Sequence, residues 1–315
     1  MNTPLQSDFF SDIDAEVHFD VAIGEMTYYA IGGTADAFVT PHSVDALSIL
    51  LQRCSNANVP IRVLGKGANL LIDDCGVDGV VVKLDHGCFK ASEFRSEGSV
   101  HYMDIQAGAD LSKTVMETAR LGFDGLQAMA GIPASIGGAI RMNAGGKYGT
   151  ISDTISTITT ITSTGDILTH QGSDITFSYR KSEIHEPIIL SASFQLTPDD
   201  PITIRERVKE IFAWKKALQP LADTSAGCAF KNPIDTEGQY ISAGKLIDEA
   251  GLKGFRIGGA IVSSQHANFI TTSENGTAKD VLAVMTEVRK RVLDSSDFNL
   301  EREVVVWSRD SRDIR

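Results

Sequence analysis

An α+β fold built as more than one domain is what the 315-residue sequence predicts, on three observations. Short β-rich segments dominate as far as Leu196, with only a few amphipathic helical stretches between them. Pro198-Asp-Asp-Pro201 then interrupts the pattern with two residues that sit poorly inside a helix or a central strand. Beyond that break the periodicity turns more helical. A chain of this length holds two or three domains.

Taken in order, residues 1–20 carry little pattern and read as a loose arm. Thr27 to Asp36 mixes β-formers with a Gly32-Gly33 turn. Ser43 is placed to N-cap a helix whose Leu47, Leu50 and Leu51 share one face. A strand over Ile61–Leu64 runs into Gly65-Lys-Gly-Ala-Asn-Leu-Leu71, and a second strand covers Gly79–Leu84. Strand, Gly-x-Gly loop, strand suits an anion, because successive bare N–H groups can point at it. It lacks the third glycine and following helix of a Rossmann fingerprint, and alone an ordinary tight turn explains it as well. Residues 100–107 read as a strand, and Asp110 caps a helix to Gly122 with Leu111, Val115 and Ala119 inward. Thr154–Thr169 is β-rich around a turn at 164–166, and Ile188–Leu196 is a strand. Helices follow at about 203–217 and 243–250. Thr277 with Asp280 forms a capping box for a helix to about Leu293, and Glu303–Trp307 is a closing strand.

The fold is organised around the run from Gly131 to Gly149. Its glycines each cost roughly 1 kcal/mol against alanine in a helix, so the run reads as tight turns. Ile132, Ile136, Ile140 and Met142 are threaded through it, which a polar surface linker would not show. A buried loop lying against a cofactor is the better reading.

Hydrophobic content of 42% with 22% charged residues is ordinary for a globular protein. A net charge of −12 argues against nucleic acid or an anionic membrane as partner. Residues 205–256 carry nine Lys/Arg against seven Asp/Glu, a local +2 in a chain otherwise at −14. That points to an anionic small ligand, or to ordinary charge scatter. Cys54, Cys75, Cys88 and Cys228 form no CxxC pair and no metal-type spacing with histidine, so no metal is expected. The first 16 residues lack a signal peptide's apolar core, and no apolar run approaches the ~18 residues of a span. A cytoplasmic protein with free thiols is expected.

The motifs, in order, resemble those of the UDP-N-acetylenolpyruvoylglucosamine reductases, flavoenzymes of peptidoglycan precursor synthesis, across residues 20–308. The resemblance rests on Ile31-Gly-Gly-Thr-Ala-Asp36, Leu64–Leu71, Gly131-Ile-Pro through Asn143-Ala-Gly145, and Phe177-Ser-Tyr-Arg180. It continues through Ala226-Gly-Cys-Ala-Phe-Lys-Asn-Pro233, Ala243–Asp248, His266-Ala-Asn-Phe269 and Leu300-Glu-Arg-Glu-Val304. It implies a two-lobed FAD-binding domain of the vanillyl-alcohol-oxidase type over 20–200, with lobes of about 20–85 and 86–200. A C-terminal α+β substrate-binding domain over 201–315 follows. The short interval from Arg180 to Lys216 resembles the family's short form.

The resemblance further implies reduction of an enolpyruvyl ether to a lactyl ether, with hydride passing from NADPH to FAD and then to the vinyl carbon. The partners are then NADPH and UDP-N-acetylglucosamine enolpyruvate, and the protein is expected to act as a monomer. The flavin is implied to be held by Gly32, Gly33, Gly65, Lys66, Gly67, Ala68, Asn69 and Leu70. Gly131, Ile132, Pro133, Ser135, Ile136, Gly137, Gly138, Asn143, Ala144 and Gly145 complete that set. No His or Cys lies within 65–67 or 131–146, so the FAD is expected to be non-covalent. By the family's pattern Arg180 and Glu303 stabilise the carboxylate-centred anion, and Cys228 stands where most members have the proton-donating serine. Outside that setting Arg180 would read as a structural ion pair and Cys228 as an inert small hydrophobe. Glu301, on the same face of the strand if it begins that early, is separated from Glu303 only by the motif. Lys216, Lys231 and Asn232 match substrate-contacting positions, and Lys245, Lys253 and Arg256 are weaker diphosphate candidates. Fold alone would also allow another oxidoreductase acting on a hydroxy acid or alcohol, or a flavin-binding protein without turnover.

Overall fold

The computed structural model describes residues 5–309, which divide into two compact units, neither continuous in sequence. The first comprises residues up to 20, 36–66 and 79–214; the second comprises 21–35, 67–78 and 215 onward. Among the described residues no helix is long and apolar enough to cross a membrane.

In the first unit, a four-stranded sheet has the order Ala15–Val21, Ala35–Pro41, Val77–Val82, Ile61–Val63. Its strand ends at Val21, Ala35 and 77–78 belong to the second unit. Helix α1 (Val44–Asn56) is capped by Ser43, whose hydroxyl accepts from Ala46 N–H at 3.1 Å. Leu47, Leu50 and Leu51 of α1 are wholly buried. At 1.5–3 kcal/mol per buried aliphatic side chain, about 6 kcal/mol of transfer free energy lies on that face. A second, antiparallel sheet runs Ile167–Gln171, Ile155–Ile161, Ile188–Pro198, Val100–Gln106, Ser92–Glu97. Phe123–Asp124 pairs with the far end of its long central strand. Helix α2 (Leu111–Leu121) starts at Asp110, whose carboxylate accepts from Lys113 N–H, and ends at Gly122 with φ +80°. Its Leu111, Val115 and Ala119 are buried as the spacing predicts.

Two expectations fail in this unit. The expected loose arm over residues 1–20 fails from residue 5 on, residues 1–4 lying outside the described residues: Ser7–Phe10 is a 3₁₀ turn, Ala15–Val21 is a strand, and Phe10 and Ile13 are buried. The glycine run is not turns throughout, for Ile136–Arg141 is a short helix, α3. Packing overrides propensity here, since Ile136, Ala139 and Ile140 are buried. Ser135 caps the helix by accepting from Gly138 N–H at 3.2 Å, and Gly137 N–H donates to the Ala107 carbonyl at 2.8 Å. A Cβ on Gly137 would lie 3.0 Å from Ala107 Cβ, so the glycine is what permits that approach. Helix α4 (Pro201–Leu218), in this unit as far as Trp214, buries Ile204, Val208 and Ile211 along one face.

The second unit has its own core. It contains a three-stranded sheet, Arg256–Ile257, Ala260–Val262, Ile270–Thr272, with helices α5 (Ala243–Glu249) and α6 (Ala278–Ser296). The predicted capping box of α6 is present, Thr277 and Asp280 satisfying each other's backbone N–H groups. The closing strand is Val305–Trp307, pairing in parallel with Leu70–Ile72. The segment Thr27–Thr34 is irregular rather than β. Its turn is forced by close approach: a Cβ on Gly32, at φ +110°, would sit 2.2 Å from the Ile72 carbonyl oxygen. Segments 21–35 and 67–78 thus pack with the C-terminal region, a division the linear boundaries 20–200 and 201–315 do not follow.

Candidate active site

Arg180 occupies the tip of a hairpin in the first unit. Phe177–Ser178 pairs with Lys181–Ser182, leaving Tyr179 and Arg180 as a two-residue turn. Arg180 has φ +59°, a left-handed backbone that costs an L-residue on the order of 1 kcal/mol. Its guanidinium donates to the Gly145 carbonyl at 2.8 Å and lies 5.1 Å from the Tyr179 ring centre. The glycine run braces this hairpin. Asn143 Nδ2 donates to the Ser178 carbonyl (3.0 Å), and Ser182 Oγ donates to the Arg141 carbonyl (3.0 Å). Arg141 in turn donates to the carbonyls of Ile184 and Glu186. The loop and the arginine are one assembly, though 35 residues separate Gly145 from Arg180.

Other expected flavin residues lie in the same unit. A Cβ on Gly65 would meet Ser135 Oγ at 2.6 Å, so the Gly-x-Gly loop borders the cap of α3. Lys66 is ion-paired with Asp110 at 2.6 Å. Burial pulls the Asp110 carboxyl upward, but Lys66 and the Lys113 N–H more than offset it and hold the group below the usual range. Nothing in the sequence flagged that pairing.

Cys228 and Glu303 belong to the second unit, where their segments are knitted together. Cys228 forms an antiparallel bridge with Phe269, and Phe230 one with Arg302. Glu303 N–H donates to the Ala229 carbonyl at 2.9 Å. Asn69 Nδ2 donates to the Glu303 carbonyl (3.1 Å), and Val305 N–H donates to the Asn69 carbonyl (3.1 Å). A Cβ on Gly227 would approach the Ala68 carbonyl oxygen to 4.0 Å. The end of the Gly-x-Gly loop, the cysteine and the glutamate therefore share one neighbourhood.

Asn268 and His266, motif residues without a role derivable from sequence, support this neighbourhood. Asn268 Oδ1 accepts from Phe230 N–H (3.0 Å), its Nδ2 donates to the Phe230 carbonyl (2.8 Å), and its own carbonyl accepts from Ala229 N–H (2.7 Å). His266 Nδ1 accepts from Asn268 N–H at 3.2 Å, which requires the neutral ring. Burial, outweighing its backbone contact, lowers its pKa in keeping with that.

Lys231 and Asn232, two of the expected substrate contacts, have structural partners. Lys231 pairs with Glu301 at 2.6 Å, which gives the alternative glutamate a surface ion pair of its own. Asn232 Oδ1 accepts from Ala243 N–H at the start of α5 (2.9 Å). Lys216 is exposed on α4. Lys245 and Lys253 pair with Glu249 and Asp248 respectively.

Comparison with known proteins decides the family. Residues 35–171 match the FAD binding domain, and residues 219–307 match the UDP-N-acetylenolpyruvoylglucosamine reductase C-terminal domain. The reductase of Clostridium beijerinckii is 37% identical over 302 residues, covering 94% of this chain and 95% of its own. That of Desulfosudis oleivorans is 35% identical, with 92% and 94% covered. The chain belongs to the UDP-N-acetylenolpyruvoylglucosamine reductase family. The crystal structure of the Thermus caldophilus reductase is similar to this chain with a TM-score of 0.78 at 34% identity, covering 93% of this chain and all of that one. A variant of the BBE-like 1 protein of Physcomitrella patens shares the fold, with a TM-score of 0.57 at 12% identity over 91% of this chain and 88% of its own.

As a reductase of this family carrying an FAD-binding domain, the chain is an FAD-dependent oxidoreductase. Its residues fit that cofactor. Asn143 Oδ1 is buried with no hydrogen-bond partner among the described residues, an acceptor suited to an N–H of the flavin ring. Gly146 has nothing within 4 Å of where a Cβ would stand, and a Cβ on Gly138 would meet only Ser135 Oγ at 3.1 Å. At Gly32, by contrast, the close approach is to the chain's own backbone.

Proposed function

We propose that this protein reduces UDP-N-acetylglucosamine enolpyruvate to UDP-N-acetylmuramate at the expense of NADPH, for peptidoglycan precursor synthesis. The observation that carries the reading is similarity to reductases of that name over nine-tenths of both chains, with the Arg180 and Glu303 motifs intact and a cysteine at 228. Bound FAD would relay a hydride from NADPH to the vinyl carbon. Gly65–Leu70 and Gly131–Gly145, with Gly32 and Gly33, are the segments proposed to hold it.

The chain's own work concerns charge and a proton. Hydride addition puts negative charge on the α-carbon and the adjoining carboxylate. Arg180 would grip that carboxylate through two parallel N–H bonds, a geometry a lysine cannot match. A charged Glu303 would repel the developing anion, so it acts carrying or sharing a proton. Fixed donors of this kind commonly supply about 3–4 kcal/mol each. Cys228 would donate its S–H proton to the α-carbon and recover one from solvent, balancing the hydride. A free thiol near pKa 8.5 is a far stronger acid than serine's alcohol and stays protonated at pH 7. Lys216, Lys231 and Asn232 would meet the sugar nucleotide, Lys231 by leaving Glu301. The reading places the protein in the cytoplasm, since NADPH and nucleotide sugars are cytoplasmic metabolites.

The test is anaerobic. NADPH should bleach the flavin of the purified protein, and the enolpyruvyl sugar nucleotide should restore the oxidised spectrum with one lactyl ether formed per flavin. Bleaching without restoration overturns the reading.

A further inference from the structure

The glycine-rich run ends in a two-stranded hairpin, Gly145–Gly146 against Gly149–Thr150, with Lys147 and Tyr148 at its tip. Tyr148, 44% exposed, meets Trp214, 37% exposed, edge to face at 5.8 Å with the planes 87° apart. Lys147 Nζ lies 5.4 Å from the Tyr148 ring centre and 5.7 Å from that of Trp214. Beside them opens a recess of about 140 Å³ lined by Gln127, Ala128, Tyr148, Arg207, Glu210 and Ile211. All of these residues belong to the first unit.

Two large rings left in water at one spot forgo burial that folding would otherwise recover, at about 25 cal/mol per Å². The perpendicular arrangement leaves ring surface uncovered for a planar group to stack on. The ammonium against both rings supplies positive charge at the same place. A planar base with an attached anion satisfies both features, which neither an aliphatic ligand nor a bare anion does.

We propose that Lys147, Tyr148 and Trp214 form a docking subsite for a nucleoside diphosphate, with the base stacked on the rings and the phosphates met by Lys147. Its source rests on the function proposed above, in which both the sugar nucleotide and the dinucleotide carry such an end. The hairpin joins the subsite to the candidate catalytic arginine, because the carbonyl at its base, Gly145, is the one Arg180 holds at 2.8 Å. Tyr148 is three positions on from Gly145, at most about 11 Å of extended chain.

Calorimetric titration of the flavin-loaded protein with UDP, and separately with NADP⁺, tests this. Neither probe transfers hydride in that state. Tyr148→Ala and Trp214→Leu should each weaken at least one nucleotide about fivefold or more, the effect of losing one base–aromatic stack, while Tyr148→Phe binds as the parent does. Weakening of UDP alone assigns the subsite to the sugar nucleotide, of NADP⁺ alone to the dinucleotide, and of both to shared use. Parent affinities for both probes in both truncations overturn the proposal. Should a truncation lose flavin, Lys147→Ala decides: it must lower affinity and flatten its salt dependence, and failure to do so overturns the proposal. A protein that binds as described but is not reoxidised by the enolpyruvyl sugar nucleotide keeps the subsite and loses the reaction. One that turns over with unchanged affinities keeps the reaction and loses the subsite.

Discussion

At the scale of single residues, the proposed proton donor Cys228 is testable by separating the two half-reactions. Cys228→Ala should be reduced by NADPH at the parent rate but reoxidised by substrate about 10²–10⁴-fold more slowly, the usual yield of general acid catalysis. Cys228→Ser should recover most of that loss, and a parent-like reoxidation rate in the alanine variant would reduce Cys228 to a packing residue. Glu303→Gln should behave like the alanine variant, whereas Glu301→Gln should lose only the Lys231 ion pair and keep the chemistry. In the sequence only motif position separates these two glutamates; alternation does not, because the strand begins at Val305 and both precede it. His266 and Asn268 were visible as motif residues, but Asn268 works by hydrogen bonding to Phe230, 38 positions away, which no local pattern encodes, and His266 holds Asn268 through the backbone N–H two residues on. His266 yields a pH prediction. Burial first lowers its native pKa, so below the unfolded value of about 6.5 the unfolded chain binds more protons than the native one. Its contribution to stability is therefore complete above that pH and lost as pH falls toward the native value. Melting temperature should drop across that window in the parent, and His266→Asn, which keeps an acceptor but cannot titrate, should flatten the drop.

Among elements, α1, α2 and α6 were legible from local signals: a capping serine and apolar spacing in α1, cap, spacing and Gly122 terminator in α2, and a capping box in α6. Helix α3 was not, because its local signal is wrong: Gly137 and Gly138 sit in its first turns. What forms it is tertiary, namely the Ser135 cap, the Gly137 bond to Ala107 and three buried side chains. Two effects then compete at Gly137→Ala. Helix propensity favours alanine by about 1 kcal/mol, whereas overpacking a close contact typically costs 1–3 kcal/mol. The added Cβ would meet both Ala107 Cβ at 3.0 Å and its carbonyl oxygen at 3.4 Å, on a strand end with little room to give. The contact should win, so Gly137→Ala should melt below the parent and hold flavin less tightly. A variant more stable than the parent would show that Ala107 yields and that propensity governs α3 after all. The Arg180 hairpin is the same lesson in miniature, since the motif named the arginine but not its left-handed backbone or the brace from Asn143 and Arg141.

The division of the whole molecule was the part least accessible to sequence. Pro201 starts α4, but the chain stays in the first unit as far as Trp214, and the C-terminal region is not a self-contained body. Residues 21–35 and 67–78 belong to it, and a linear reading cannot assign a dozen residues to a core more than a hundred positions away. Two observations make the dependence specific. Val305–Trp307 pairs in parallel with Leu70–Ile72, register Val305 to Leu70, so without that segment the closing strand loses its partner. Tyr29 and Leu71, both essentially inaccessible, lie within the second core and would leave voids in it. Truncating a single large core side chain already costs about 2–5 kcal/mol against a whole-domain stability of about 5–15. A fragment of residues 201–315 expressed alone should therefore be unfolded or aggregated, with poorly dispersed amide resonances and no cooperative thermal transition. A chain carrying residues 21–35 and 67–78 joined by short flexible linkers to 215–315 should recover dispersion and cooperativity. If the bare fragment folds cooperatively, the two inserted segments are accessories to the second core rather than parts of it, and the linear boundary near residue 200 is the physical one.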